Sequence, residues 1–320
     1  MSRLSIIIPV RGNLARLEDT LLSVLENRPQ DAQIIVVLDE PYADPYDLKA
    51  EGVEFLQAPP GAGEAATINQ GLEASRAPLV HVLSCGARVA EGWAEAAASH
   101  FADLCVAAVA PLVLDVEHPE RVVAAGVTYT RGGRVRTVGE GCQAQALLER
   151  PPHVLGPHPA AAFYRKSALE LVGWFSAAVG NEFAAVDLAL RLAYVGFRTV
   201  FEPRSIVCAY GAAERSGGAF CRAMHAERLF WRWAPGFGWL GSLPRHALAV
   251  GWELLGALPR PTLLAQVAGR TLGLCHFASG RRHYRELQSL RERARASVSA
   301  GARNGSTPHA RRARKRRAAR

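Results

Sequence analysis

The sequence predicts an α/β fold in which a mostly parallel sheet carries helices on both faces. Short runs of β-branched residues alternate with segments of helical periodicity over the first quarter of the chain. The composition indicates a globular protein, since 49% of the 320 residues are hydrophobic and 21% are charged. Six scattered cysteines contain no Cys-x-x-Cys pair, which argues against a zinc ribbon or a redox centre.

Four apolar runs predict buried strands, because continuous β-branched segments suit a sheet that is covered on both faces. They cover residues 4–10, 33–38, 53–56 and 79–83. Leucines at three- and four-residue spacing after the first run predict a helix, and residues 64–75 predict another. In parallel sheets, ligands bind beyond the carboxyl ends of the strands. That rule directs attention to residues 9–13, 39–44 and 84–86.

The remainder of the chain is predicted to form further helices and a tail. Residues 166–172 and 185–194 predict helices, and residues 199–201 predict a strand. The predicted organisation is a first domain over 1–212, an amphipathic helical extension over 213–297 and a disordered basic tail over 298–320. No run of about 18 residues is apolar enough to predict a transmembrane helix. We therefore expect a cytoplasmic protein.

The positive charge of the chain is confined to its C-terminal end. The formal net charge is +9, but residues 1–210 carry a net charge of −7, residues 211–280 carry +4 and residues 281–320 carry +12. A nucleic-acid-binding domain in the first two thirds is therefore disfavoured. The dense basic block at residues 311–317 is suited to nonspecific contact with an anionic membrane or a nucleic acid, and we predict no specific nucleic-acid partner.

Seven segments occur in an order that resembles the family 2 glycosyltransferases. They are Ser5–Pro9, Ile35–Glu40 with Asp44, Asn69–Ala74, Val80–Gly86, Phe163–Phe175, Asp187–Leu192 and Gly196–Arg198. The resemblance implies a GT-A nucleotide-diphospho-sugar transferase fold over about residues 4–210. It also implies an inverting transfer from a nucleotide sugar to a glycan or lipid-linked acceptor, as in cell-envelope polysaccharide synthesis, with Mg²⁺ or Mn²⁺ on the donor diphosphate.

Polar residues at the strand ends are the candidate donor-binding residues. A carboxylate at a strand end can accept hydrogen bonds from the base or the ribose, so Asp39 is the first candidate, with Glu40 and Asp44 beside it. The alternative is that these acidic residues belong to a solvated turn. The list is completed by Pro9, by Asn13, which could instead cap a helix, and by Asn69, which could instead be a polar helix position.

The family's metal motif is missing from the corresponding strand end. Ser84, Cys85 and Gly86 stand where the family has an Asp-rich run. The divalent cation that neutralises the donor diphosphate is hard and must be held by oxygen ligands of the protein. Without the Asp-rich run, the Mg²⁺ or Mn²⁺ that the resemblance implies has no such ligands at this strand end. Arg88 could neutralise the diphosphate as a cation, or it could be an ordinary surface arginine.

The family's catalytic base is also missing. An inverting transfer needs a base for the acceptor hydroxyl, and the position of that carboxylate is Ala185 here. Asp187 and Glu182 are the two candidate replacements. Asp187 is about 200° around the helix axis from position 185, whereas Glu182 is nearer to the helix face that carries Ala185. His158 is a third candidate.

Aromatic residues are interleaved with arginines between Phe220 and Phe277, a pattern that suits either the headgroup zone of a membrane or packing onto the first domain. The main hypothesis is a glycosyltransferase that is peripheral on the inner face of the membrane. The alternative is a catalytically inactive relative that binds a nucleotide sugar or a partner enzyme.

Overall fold

The computed structural model describes residues 3–12, 14–210, 218–258, 260–275 and 282–292. The strands are β1 (Leu4–Val10), β2 (Gln33–Leu38), β3 (Val53–Gln57), β4 (Leu79–Leu83), β5 (Arg88–Val89), β6 (Val106–Asp115), β7 (Val122–Ala124), β8 (Val127–Tyr129), β9 (Val135–Thr137), β10 (Ala161–Arg165) and β11 (Arg198–Ala209). The helices are α1 (Ala15–Asn27), α2 (Glu64–Ala74), α3 (Trp93–Ser99), α4 (Ala144–Glu149), α5 (Lys166–Val172), α6 (Asn181–Val195), α7 (Ala219–Phe237), α8 (Trp239–Ala257), α9 (Thr262–Leu274) and α10 (residues 282–292).

A large mixed sheet organises the molecule, with strand order β3-β2-β1-β4-β10-β6-β11-β5. Strands β1 to β4 pair in parallel, and β11 is parallel to β6. Strand β10 is antiparallel to both of its neighbours, β4 and β6. The predicted α/β fold with a mostly parallel sheet is confirmed, and the ends of β1, β2 and β4 meet at one edge.

Both faces of the sheet are covered, which explains the continuous apolar strands. Ile6 and Ile8 point to the layer that contains α1 and α3, whereas Ile7 points to the layer that contains α2, α5 and α6. Helix α2 lies very close to β1, because a Cβ on Gly71 would come within 2.4 Å of the Ile7 side chain. The position of α2, and of its N-terminus at the cleft, therefore depends on a glycine.

Two elements differ in length from the sequence prediction. Helix α6 begins at Asn181 rather than at residue 185, and β11 extends to Ala209 rather than ending at residue 201. The longer strand crosses a register irregularity between Glu202 and Ile206. A proline and charged residues interrupt the apolar pattern there, which concealed the strand's second half in the sequence.

The C-terminal helices pack onto α6 and onto one another. Trp233 of α7 is buried in a cluster with Val186 and Leu190 of α6, and Leu287 of α10 joins it. None of the described helices is both long and apolar enough to cross a membrane. The predicted tail over 298–320, including the basic block at residues 311–317, lies outside the described residues.

Candidate active site

We use the term cleft for the edge of the sheet at which β1, β2 and β4 end, together with the starts of α2 and α6. A small pocket beside the end of β4 is lined by residues from α2, β4, β10, α6 and the segments beside them. They are Glu64, Ala65, Ile68, Val82, Pro159, Ala162, Tyr164, Phe175, Asn181, Ala184 and Ala185. We call this lining the transfer pocket, and it includes Ala185, the position at which the family resemblance implies a catalytic base.

Asp39 and Glu40 are exposed directly after β2, on the β2 side of the cleft. The Asp39 carboxylate accepts a hydrogen bond from the backbone N–H of Gly12 at 3.2 Å. That contact ties the loop after β2 to the loop after β1. Pro9 is buried within β1, opposite Val37, and Asn13 lies outside the described residues.

Asp44 and Asn69 have their polar atoms engaged by backbone groups. The Asp44 carboxylate accepts hydrogen bonds from the N–H groups of Leu48 and Lys49 at 2.8 and 3.2 Å. The Asn69 amide donates to the carbonyl of Phe175 at 2.8 Å and accepts from its N–H at 3.0 Å. The geometry favours a turn-closing role for Asp44, and Asn69 joins α2 to the segment after α5.

The strand end after β4 has few groups that suit a divalent cation. The Ser84 hydroxyl donates to the carbonyl of Pro159 at 3.1 Å. Burial raises the pKa of the Cys85 thiol to about 11, so the thiol is protonated at neutral pH. Gly86 contributes no side chain, and no cluster of three His, Cys, Asp or Glu side chains suited to a metal occurs among the described residues. These residues do not fit the Mg²⁺ or Mn²⁺ that the family resemblance implies.

Arg88 forms an ion pair in the strand that follows. Its guanidinium contacts the Asp19 carboxylate of α1 at 2.8 Å, and both side chains are about half exposed. The hydrogen bond to Asp19 raises the pKa of Arg88. The positive charge of Arg88 is therefore already partnered within the protein.

Glu64 lines the same pocket as Ala185, although it is not among the residues that the sequence predicts for the site. The two helix starts are held together because the Asn181 side chain accepts the N–H of Ala65 at 3.3 Å, and a Cβ on Gly63 would lie 2.9 Å from that side chain. Burial raises the pKa of the Glu64 carboxyl, and the nearby Arg11 opposes the shift. The available signal was an acidic residue at a helix start just beyond the carboxyl end of a parallel strand.

The two carboxylates predicted on α6 lie in different surroundings. Glu182 is half-buried in the first turn, where burial raises its pKa and Arg222 opposes the shift. Asp187 has no exposed surface. Its oxygens accept hydrogen bonds from Arg191 Nε at 3.0 Å and Trp233 Nε1 at 2.9 Å, and Arg232 Nε lies 2.9 Å away. A carboxylate so enclosed cannot reach an acceptor hydroxyl, and this geometry favours a packing role for Asp187.

His158 precedes Pro159 at the edge of the transfer pocket. Burial lowers the pKa of its imidazole to about 4, so the ring is neutral at pH 7. Its Nδ1 accepts the backbone N–H of Ala160 at 3.2 Å. The ring nitrogen that could act as a base is thus already used inside the loop.

The sequence is similar to known glycosyltransferases. The model of the family described as "Glycosyl transferase family 2" matches residues 5–173, which is more than half of the chain. A pre-mycofactocin glycosyltransferase of Mycobacterium tuberculosis is 30% identical over 209 residues, which are 63% of this chain and 42% of that protein. The chain thus spans less than half the length of this relative.

Solved structures share the fold at low sequence identity. One of them is mannosyltransferase PcManGT from Pyrobaculum calidifontis in complex with GDP-Man and Mn²⁺. It superposes with a TM-score of 0.53 at 18% identity, and the match covers 92% of this chain and 86% of the PcManGT chain. GalNAc-T7 with UDP, GalNAc and Mn²⁺ superposes with a TM-score of 0.54 at 13% identity, covering 71% and 47%. The predicted GT-A fold is confirmed, and the protein belongs to glycosyl transferase family 2.

Proposed function

We propose that this protein transfers a sugar, with inversion, from a nucleoside diphosphate donor to a glycan or lipid-linked acceptor. The observation that carries the proposal is that a carboxylate at the end of β2, the end of β4 and the transfer pocket are neighbours. Asp39 is close enough to Cys85 to raise the pKa of its thiol, and Ser84 bonds to the carbonyl of Pro159, which lines the transfer pocket. A donor lying along this cleft has its base and ribose at Asp39, with Glu40 beside it, and its sugar at the transfer pocket.

Glu64 acts as the base in this proposal. It takes the proton of the acceptor hydroxyl as that oxygen attacks the anomeric carbon, and the nucleoside diphosphate leaves with the bonding electrons. Its raised pKa makes the carboxylate a better proton acceptor than an ordinary glutamate. Glu182 is the second candidate, and Asp187 and Asn69 are assigned to positioning their helices.

The acceptor is proposed from the family and from the relative. A cell-envelope glycan or its lipid-linked precursor is one class, and pre-mycofactocin, which the M. tuberculosis relative is named for, is a second acceptor to assay. Because the chain covers 42% of that relative, the second acceptor is a matter for experiment.

We further propose that the protein binds the inner face of an anionic membrane through α8 and α9. Leu240, Leu248, Trp252 and Leu264 are between 72% and 97% exposed. Beside them, Arg131, Arg134 and Arg136 of the β8–β9 hairpin and Arg245 of α8 line a second pocket together with Trp252. Apolar side chains next to a group of arginines complement acyl chains and anionic headgroups.

The alternative function is a catalytically inactive protein that binds a nucleotide sugar or a partner enzyme, and the alanine at position 185 favours it. Release of free nucleoside diphosphate from a panel of UDP- and GDP-sugars, with and without acceptor and Mn²⁺, separates the two. The transferase proposal requires acceptor-dependent release. Tight donor binding without turnover with any acceptor would establish the alternative.

A further inference from the structure

A cation of the protein itself lies where the family's metal motif is missing. The aliphatic stem of Arg16, in the first turn of α1, packs against Gly86, since a Cβ built on that glycine would lie 3.0 Å from Arg16 Cδ. The Arg16 side chain is exposed, and its guanidinium carbon lies 4.4 Å from the centre of the Tyr210 ring. A positive charge therefore stands over the end of β4.

Helix α1 is fixed to this strand end by two hydrogen bonds. Gly86 N–H donates to Thr20 Oγ1 at 2.8 Å, and Val89 N–H donates to Ser23 Oγ at 3.2 Å. Gly86 also has a φ of +91°, which L side chains rarely adopt. A glycine is thus required twice at this position, for its backbone conformation and for the close approach of Arg16.

Arg16 differs from Arg88 in its availability. Across the part of the chain that the structure describes, no carboxylate forms an ion pair with Arg16, whereas Arg88 is paired with Asp19 at 2.8 Å. Arg16 and Asp39 both lie close enough to Cys85 to shift the pKa of its thiol, in opposite directions. Arg16 and Asp39 therefore both lie near the strand end after β4, the position that the proposed function gives to the donor diphosphate.

We propose that Arg16 binds the donor diphosphate in place of the divalent metal, so that donor binding needs no metal ion; this inference rests on the proposed function. A guanidinium can donate two parallel hydrogen bonds to phosphate oxygens. The same contacts stabilise the charge that develops on the leaving diphosphate. Tyr210 holds the guanidinium in place from the face opposite to the phosphates.

Calorimetric binding of UDP and GDP to the full chain in EDTA, and again in excess Mn²⁺, tests the inference. We expect one of the two nucleotides to bind in EDTA, with an affinity that Mn²⁺ changes less than about threefold, because an arginine already supplies the charge. Arg16→Ala should weaken binding roughly 10- to 100-fold, the range for a charge-assisted contact. Arg16→Lys should restore part of it, since an ammonium supplies the charge but not the paired donors.

Two further variants make the outcomes separable. Arg76→Ala removes an exposed arginine that pairs with Glu54 away from the cleft, and it should bind as the wild type does. Arg88→Ala compares the two arginines near the strand end, and we expect a smaller loss than for Arg16→Ala. Because Arg16 is exposed, its variants should unfold at the wild-type temperature, which thermal unfolding checks.

Binding that requires Mn²⁺ would overturn the inference and leave the proposed function standing. Wild-type affinity of Arg16→Ala in EDTA would also overturn it, and a loss confined to Arg88→Ala would return the role to that residue. If neither nucleotide nor any nucleotide sugar binds with or without Mn²⁺, the proposed function itself fails.

Discussion

The C-terminal helices pack on α6 and on one another around fully partnered buried carboxylates, whereas the cleft has no Asp-rich run after β4 and has an alanine at position 185. Asp187 is enclosed by Arg191, Arg232 and Trp233. Glu227 of α7 is likewise buried and bonded to Arg270 and to His246. Although burial alone would raise it, the pKa of Glu227 is held below its ordinary value by His246 and Arg270.

In the cleft, by contrast, the strand end after β4 presents a hydroxyl, a thiol and a glycine, and Ala185 occupies the base position. The enclosure of Asp187 favours a structural role for this aspartate of the resembled motif. A buried carboxylate whose partners lie on two helices is needed for packing.

The largest effect on activity is expected from Glu64→Gln. Removing the proton acceptor should lower kcat roughly 10²- to 10⁴-fold, the usual contribution of a general base, while the donor Kd stays the same. The raised pKa of Glu64 means that its ionisation costs folding free energy as the pH rises through that pKa. The variant should therefore be at least as stable as the wild type at neutral pH.

Steady-state rates and denaturant unfolding at several pH values measure both parts of this prediction. In the wild type, the rate should fall on acidification at a higher pH than for an ordinary glutamate, because the folded pKa is raised. Glu182→Gln is the matched control, since it removes a carboxylate at the neighbouring helix start. If Glu182→Gln loses turnover and Glu64→Gln does not, the base is Glu182.

The largest effect on stability is expected from Asp187→Ala. It leaves Arg191 and Arg232 without their carboxylate in a buried site, which costs about 3–5 kcal/mol of unfolding free energy. Urea denaturation measures the loss, and Asp19→Ala, which breaks the half-exposed pair with Arg88, should cost about 1 kcal/mol or less. A stable Asp187→Asn protein without turnover would instead make Asp187 catalytic.

A smaller effect is expected on the β2 side of the cleft. Asp39→Ala should weaken nucleotide binding roughly 10-fold, because one charged hydrogen bond to the base or ribose is lost. Calorimetry with UDP and GDP measures it, with Asp31→Ala as a control carboxylate on the surface. Unchanged affinity would mean that the acidic turn after β2 is only a solvated loop. The prolines in this turn are consistent with that alternative.

The smallest effect is expected on membrane binding. Arg245→Ala should weaken co-sedimentation with phosphatidylglycerol vesicles by ~1 kcal/mol, the contribution of one cation near an anionic surface. Trp252→Ala should weaken vesicle binding because an apolar contact with the membrane is lost. Arg76→Ala is the surface control for Arg245→Ala, and Leu104→Ala, which removes another exposed apolar side chain, is the control for Trp252→Ala. Equal binding of all four variants would remove α8 from the proposed membrane surface.

The sequence by itself predicted the α/β fold and the strand ends at the edge of the parallel sheet, and it contains no Asp-rich run after β4 and an alanine at position 185. Those features are local: apolar runs, helical spacing and the identity of a residue at a given strand end. The second half of β11 and the early start of α6 escaped prediction, because sheet pairing and the Asn181 contact with α2 extended these elements beyond their apolar pattern.

Only the tertiary structure decided which charged residues meet. Arg16 and Gly86 are 70 positions apart in the sequence, and they touch because α1 packs over the end of β4. Glu64 and Ala185 share a pocket because the starts of α2 and α6 converge, and Asp187 is enclosed because α7 folds back onto α6. Each of these contacts depends on how elements distant in sequence pack against one another, which hydrophobic spacing along the chain does not encode.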